Sequence, residues 1–193
     1  MTPEAFRKDR YLRATGYNFF VWAAVNLLVT LPLFSALGGR PWPDWLGLVY
    51  PIALIATGIF LCVLNDNRVQ KMVGDPAPVP VVEAGSIWLP VLLLGILFTV
   101  LFVARGPVAF VQPLWLLLVG TGYLQWGNFT IREFRLFGAV LIAAGVVAGF
   151  AVRPAEIAAG MPSLRALVVW VVFMSAAWVP FGAYINRKYV HVH

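Results

Sequence analysis

The sequence predicts an all-α polytopic membrane protein, a bundle of six transmembrane helices with both termini in the cytoplasm. Of its 193 residues, 61% are hydrophobic and only 11% are charged, whereas a soluble domain carries about 25% charged residues. Six long apolar stretches follow one another along the chain, and most basic residues fall in alternate breaks between them. The length suits one domain, so residues 1–193 are expected to form a single transmembrane domain.

Each apolar stretch is long enough to cross a bilayer. The hydrocarbon core requires about 20 apolar residues in a helix, and a helix satisfies its backbone hydrogen bonds without water. The first stretch follows a basic segment, as in a signal peptide, but it exceeds the usual apolar length of about 7–15 residues. We therefore expect a retained helix. The predicted spans cover about residues 17–37, 47–65, 87–104, 108–127, 134–152 and 166–186.

The basic residues predict the orientation. Six spans place ten Lys and Arg residues on one side of the membrane and four on the other, and the richer side is expected to be cytoplasmic. This indicates a multi-pass protein of the plasma membrane, and the short loops favour a bacterial inner membrane. The ten are Arg7, Lys8, Arg10, Arg13, Arg68, Lys71, Arg132, Arg135, Arg187 and Lys188, and the four are Arg40, Arg105, Arg153 and Arg165.

Two segments outside the spans have a distinctive composition. Residues 1–16 form a basic N-terminal segment, with a basic helix expected over 3–14. This segment is interpreted either as lying on the anionic inner leaflet or as a simple basic flank that sets topology. Residues 66–86 form a cytoplasmic loop rich in proline, with an extended stretch expected over 74–80. That stretch is interpreted as a spacer, with a docking strand for a partner as the alternative.

Asparagine recurs where the second, fourth and sixth spans approach the cytoplasm, at Asn65, Asn128 and Asn186. Asparagine tolerates the left-handed conformation that closes a helix, and the basic residues that follow it favour the negative end of the helix dipole. The alternative is a polar cytoplasmic mouth that these residues form together with nearby acidic side chains.

The sequence lacks the residues that several kinds of site require. The only histidines are His191 and His193, at the end of the chain, so haem or zinc ligation inside the bundle is not expected. The single cysteine, Cys62, cannot form an internal disulfide. We predict no cofactor and no metal. The net charge of +6 is explained by the cytoplasmic flanks, so nucleic-acid binding is not predicted. Acidic residues fall at span ends or in loops, which argues against ion-coupled transport.

The remaining candidates for ligand binding are few. Asn26 lies near the middle of the first span, and an amide there is expected to bond across helices or, less favoured, to contact a ligand. Gln112 and Tyr123 lie in the fourth span, and Asp66 and Glu133 lie at the cytoplasmic ends of spans. No catalytic residue is assigned. Gly145 and Gly149 in the fifth span form a small-xxx-small pair, which predicts close helix packing.

Three functions fit this pattern. The favoured one is a non-catalytic accessory, regulatory or assembly subunit, whose partners are the lipid bilayer and either another membrane protein or further copies of itself. The second is a small uncoupled permease, flippase or channel for a small molecule or lipid. The third is a lipid-modifying enzyme at the cytoplasmic surface, with its site at Asp66, Arg68, Arg132 and Glu133. Substrate and oligomeric state are not encoded in a recognisable motif.

Overall fold

A computed structural model describes residues 3–37, 44–73 and 79–188, and within these ranges the chain is helical with no strand. Six helical stretches are long and apolar enough to cross a membrane, which confirms the predicted number of spans. The α-helices are α1 (Pro3–Val29), α2 (Leu31–Leu37), α3 (Asp44–Val73), α4 (Val79–Arg105), α5 (Val111–Phe129), α6 (Arg132–Ala151), α7 (Pro154–Ala158), α8 (Leu164–Val171) and α9 (Trp178–Lys188).

The helices extend further beyond the apolar stretches than the sequence suggested. α1 begins at Pro3 and continues through the first span, so the basic N-terminal segment is the first part of that helix. α3 continues to Val73 and α4 begins at Val79. The predicted loop 66–86 is therefore helical at both ends, while residues 74–78, with most of the expected extended stretch, lie outside the described residues. His191 and His193 lie outside them as well.

The chain divides into two compact units. Unit 1 comprises Met1–Pro78 and Met174–His193, and unit 2 comprises Val79–Phe173. The sixth span starts in unit 2 as α8 and ends in unit 1 as α9. Between them lies a π-helical segment, Val172–Ala176, in which each carbonyl bonds the amide five residues on rather than four.

In unit 1, α1 is the central helix and packs antiparallel against α3 and α9. Its contacts with α3 run through Trp22 and Val25, which surround Gly58. Its contacts with α9 run along another side, where Phe19 packs against Trp178 and Phe181 with ring centroids 5.3 and 5.0 Å apart. Because the first span contacts α3 on one side and α9 on another, its apolar residues do not line up along a single face of the helix.

Proline explains where the first span breaks. Pro32 has no N–H, so the carbonyl of Leu28 loses the hydrogen bond that an α-helix would give it. The Tyr50 hydroxyl of α3 donates to this oxygen at 3.3 Å. Thr30 lies between α1 and α2, and its hydroxyl donates to the Leu27 carbonyl at 2.6 Å. The break is thus compensated by side chains, as a backbone in lipid requires.

In unit 2, α5 is the central helix and packs against α4 and α6. The hairpin between α4 and α5 is tight because Gly106 adopts φ +102°, a conformation that residues with a Cβ rarely reach. On the α4 side, the Trp115 ring lies where a Cβ at Gly95 would stand, and its Nε1–H donates to the Thr99 hydroxyl at 2.9 Å. On the α6 side, glycines of both helices meet.

Candidate functional site

The most concentrated polar group of unit 1 joins the first and second spans. Asn18 donates from Nδ2 to Asp66 Oδ1 at 3.1 Å, and its Oδ1 accepts from Asn65 Nδ2 at 2.9 Å. All three side chains are partly buried. Asn18 therefore links two neighbouring positions of α3, and one carboxylate oxygen of Asp66 is held by a side chain from another helix.

The α1 side of this group follows from helical spacing. Asn18, Trp22 and Asn26 recur every four residues and so lie along one side of the helix. Trp22, between the two asparagines, packs against Gly58 of α3. Sequence reasoning singled out Asn26 and Asp66 but missed Asn18, although this four-residue spacing was the signal that could have found it.

Asn26 is buried, with 9% of its surface exposed, and it serves the π-helical segment. Its Nδ2 donates to the Met174 carbonyl at 2.9 Å. This carbonyl belongs to the π-helical segment, where the backbone hydrogen-bond pattern departs from that of an α-helix, and Asn26 supplies it with a side-chain donor. Pro180 follows four residues after Ala176, so the proline also withholds an N–H from this part of the sixth span.

Buried polar atoms remain in the π-helical segment and in α9, among them those of Ser175 and Asn186. Ser175 Oγ and Asn186 Oδ1 are buried and have no hydrogen-bond partner within the described part of unit 1. Ser175 follows the residue whose carbonyl Asn26 binds. The neighbourhood of Asn26 therefore combines an interhelical amide, a non-α backbone and an unused hydroxyl, the kind of local irregularity that often accompanies function in membrane helices.

Tyr123 lies in an aromatic cluster of unit 2. Its ring is 4.9 Å from Trp88 and 5.4 Å from Phe137, both edge-on, and Trp126 stacks on Phe134 at 4.8 Å and 5°. Such geometries are the favoured ones for aromatic pairs. The Tyr123 side chain is 6% exposed, so this arrangement makes the residue a packing element that joins α4, α5 and α6.

Gln112 is also buried in unit 2, with 5% of its surface exposed. It is the second residue of α5, just after a short 3-10 turn at Val108–Phe110. Its Oε1 has no hydrogen-bond partner among the described residues. A buried amide oxygen of this kind requires a hydrogen-bond donor from water or a ligand. Gln112 is therefore the ligand candidate of unit 2 whose polar atom is not used by the protein.

Asp66 and Glu133, the two acidic candidates, belong to different units. Asp66 is held by Asn18 in unit 1, as described above. Glu133 lies in the first turn of α6 in unit 2, where a negative charge favours the positive end of the helix dipole. Each carboxylate thus has a structural role within its own unit.

The predicted glycine pair contributes unequally to helix packing. A Cβ at Gly145 would lie 2.9 Å from Leu117 Cγ, whereas a Cβ at Gly149 would meet only Pro113, at 4.0 Å. A closer approach of α5 and α6 lies elsewhere, at Gly120 and Gly138. A Cβ at Gly138 would lie 2.6 Å from the Gly120 carbonyl oxygen, so these two backbones touch.

The asparagines do not close helices in the expected way. α3 continues eight residues past Asn65 to Val73, and the Asn65 side chain donates to Asn18. Within the described ranges no residue other than glycine has a positive φ. Asn128 is the penultimate residue of α5 and Asn186 lies within the last turn of α9.

Among the described side chains, no three His, Cys, Asp or Glu residues are grouped as metal ligands would be. Comparison with known proteins adds no identity: no family model, curated protein or solved structure significantly matches the chain. The functional argument therefore depends on the geometry of the two units alone.

Proposed function

We propose that this chain is a non-catalytic accessory, regulatory or assembly subunit of a complex in the bacterial inner membrane. The observation that supports this is the use of its polar side chains. Asn26, Asn18 and Trp115 each bond a neighbouring helix of their own unit. Polar groups that hold helices together are not a binding surface for a substrate.

The acidic residues support the same proposal. Three of the eight acidic side chains are described, and each has a structural partner or position. Asp66 accepts from Asn18, Glu133 lies in the first turn of α6, and Glu156 accepts from the Arg153 backbone. A lipid-modifying site would need such a carboxylate to face substrate instead.

Exposed apolar helix surface is available for a partner. Only 17% of the apolar window of α4 is buried, against 44% for the fourth span. In lipid, helices associate through packing and interhelical hydrogen bonds rather than through hydrophobicity. Both a partner helix and lipid tails are therefore compatible with this surface, which includes Leu89, Leu93, Ile96, Leu97, Val100 and Val103.

The test is purification from native membranes in a mild detergent, combined with photo-crosslinking. A photoreactive residue is placed at Ile96, which is 56% exposed, and a control at Leu116, which is fully buried. We expect one protein to co-purify in stoichiometric amount and to crosslink from position 96 but not from 116. A chain that purifies alone and crosslinks only lipid would contradict the proposal.

A second candidate function is an uncoupled permease or flippase, and the unused Ser175 hydroxyl beside the Asn26–Met174 bond favours it. Solute or lipid movement would be measured in proteoliposomes containing the purified chain. Movement that disappears in Ser175→Ala, with the melting temperature retained, would favour this candidate. No movement above empty liposomes would reject it.

We also propose the cytoplasmic orientation of both termini, which the ten-to-four division of basic residues supports. In a Cys62→Ala background, Asp75→Cys would report the loop between spans two and three, and Met161→Cys, at an exposed residue, the loop between spans five and six. We expect a membrane-impermeant maleimide to label position 161 in intact cells and position 75 only after permeabilisation. The reverse pattern would invert the topology.

A further inference from the structure

Ser175 of the sixth span carries a hydroxyl to which the chain gives no hydrogen bond. Its side chain is 5% exposed, and its Oγ has no partner within the described part of unit 1. A hydroxyl in a helix can donate to the carbonyl four residues earlier, as those of Thr57, Thr99 and Thr121 do. Ser175 lies instead in the π-helical segment, whose backbone hydrogen bonds reach five residues rather than four. A buried hydroxyl left in this way requires a partner from outside the chain.

Two further polar groups of unit 1 lie beside this hydroxyl. The Met174 carbonyl belongs to the peptide bond that joins Met174 to Ser175, and it accepts from Asn26 Nδ2 at 2.9 Å. A carbonyl oxygen has two lone pairs, so it can accept a second hydrogen bond. The same Asn26 carboxamide carries another acceptor, its Oδ1. The Ser175 hydroxyl, the Met174 carbonyl and the Asn26 carboxamide together form a small polar group, which we call the Ser175 site.

The chemistry of the Ser175 site suits a small neutral ligand. Its three residues are buried, since Met174 is 3% exposed and Asn26 is 9% exposed, and their polar groups carry no charge. A metal cation such as Ca²⁺ requires about six oxygen ligands, usually including carboxylates, which three neutral groups do not supply. A water molecule both donates and accepts, and internal waters in proteins make about three hydrogen bonds. The Ser175 site offers one donor and two acceptors to such a molecule.

We propose that the Ser175 site binds one internal water molecule, which accepts from the Ser175 hydroxyl and donates to the Met174 carbonyl and to Asn26 Oδ1. Ordered waters satisfy polar groups at irregular turns of membrane helices, because lipid offers no hydrogen bond there. The simpler role of Ser175, a small residue at a helix contact, requires its size but not its hydroxyl. This inference depends on neither the proposed subunit function nor the second candidate function.

The test is hydroxyl-radical footprinting of the full-length protein in lipid nanodiscs. A brief X-ray pulse splits water into radicals, which convert a methionine beside the water molecule into its sulfoxide, and mass spectrometry measures the rate at each methionine. Met161 is 46% exposed and reports the rate in bulk water. We expect Met174 to be oxidised as well, despite its burial, because the proposed water lies next to it. Ser175→Ala is expected to lower the Met174 rate severalfold and to leave the Met161 rate unchanged.

The matched control is Thr57→Ala, which removes a hydroxyl of unit 1 that donates to the Ala53 carbonyl of its own helix. It is expected to leave the Met174 rate unchanged. Three results would each overturn the proposal: a wild-type Met174 that stays unmodified while Met161 is oxidised, a Met174 rate that Ser175→Ala does not change, or equal losses in the two variants. Melting temperatures show whether each variant keeps its fold, and the wild-type comparison of Met174 with Met161 tests the site even if Ser175→Ala unfolds.

Discussion

Unit 1 and unit 2 are each built around a central helix with antiparallel neighbours, and they combine interhelical hydrogen bonds and glycine contacts in different proportions. In unit 1, α1 reaches its neighbours with amides: Asn18 bonds Asn65 and Asp66 of α3, and Asn26 bonds the Met174 carbonyl. In unit 2, α5 meets α6 through backbone at Gly120 and Gly138, with an aromatic cluster around Tyr123 beside it.

The difference shows two solutions to one problem. Lipid tails are as apolar as leucine, so burying leucine between helices gives little net stabilisation in a membrane. Unit 1 uses hydrogen bonds that lipid cannot offer. Unit 2 uses close approach, which increases dispersion contacts between the backbones and costs no polar burial. The first solution places polar side chains between helices, where they can acquire a function, whereas a contact between glycines places none there.

The largest effect is expected from Gly138→Ala in unit 2. The new Cβ would lie 2.6 Å from the Gly120 carbonyl oxygen, and two backbones must separate to admit it. Overpacking of this kind costs about 2–3 kcal/mol. The measurement is the free energy of unfolding in mixed SDS and dodecylmaltoside micelles.

The control for Gly138→Ala is Gly149→Ala on the same helix. Its Cβ would meet only Pro113, at 4.0 Å, so its free energy of unfolding is expected to stay within about 0.5 kcal/mol of the wild type. Equal losses at the two positions would mean that α6 tolerates no added methyl group anywhere, and the contrast between glycine and amide packing would fail.

A smaller effect is expected from Asn26→Leu in unit 1. The substitution removes the donor to the Met174 carbonyl while keeping a side chain of similar size, and an interhelical hydrogen bond in a membrane protein contributes about 1 kcal/mol. The same unfolding assay applies. Asn67→Leu makes the same chemical change at an exposed residue of α3 and is expected to have little effect. If Asn26→Leu lowered the free energy of unfolding more than Gly138→Ala, the amide contacts of unit 1 would contribute more stability than the glycine contacts of unit 2.

The sequence predicted the number of spans and their approximate positions because both follow from apolar length. Boundaries were less predictable, since residues beyond the hydrocarbon core can continue a helix: α3 passes Asn65 and ends at Val73. The break at Thr30 was foreseeable from Pro32. The π-helical segment at Val172–Ala176 was not, and the donor that bonds its Met174 carbonyl, Asn26, lies 148 residues away in the chain.

Some of the candidate residues could be identified from the sequence and others could not, for similar reasons. An intramembrane asparagine such as Asn26 stands out because its burial in lipid is costly, whereas Asn18 lies near a span end, where composition alone gives no reason to select it. The pairing of Gly120 with Gly138 also escaped detection. A glycine motif within one helix is visible in sequence, but a contact between glycines on different helices depends on their register, which composition does not encode.

Thr99→Val tests whether unit 2 gains anything from its own interhelical hydrogen bond. The Thr99 hydroxyl accepts from Trp115 Nε1 at 2.9 Å, and valine keeps the shape but not the acceptor. We expect a loss of about 0.6 kcal/mol, the average for such bonds. Thr121→Val is the control because the exposed Thr121 hydroxyl donates to the Leu117 carbonyl of its own helix. A loss at Thr99 that matches Asn26→Leu would show that unit 2 depends on hydrogen bonds as much as unit 1.

The smallest effect is expected outside the spans, at Glu156 of α7 in unit 2. Its carboxylate accepts from the Arg153 N–H at 2.8 Å, and this backbone hydrogen bond lowers the pKa of Glu156 below its ordinary value of 4.5. A lowered pKa in the folded state means that the ionised group stabilises α7. That stabilisation is complete above the unfolded pKa and is lost as the pH falls through the folded pKa. Glu156→Gln should therefore speed hydrogen exchange of the Arg153 amide at pH 7, and the difference from the wild type should shrink as the pH falls below 4.5. A difference that persists unchanged at pH 3 would mean that the loop is held by packing, as α5 and α6 are, and not by this carboxylate.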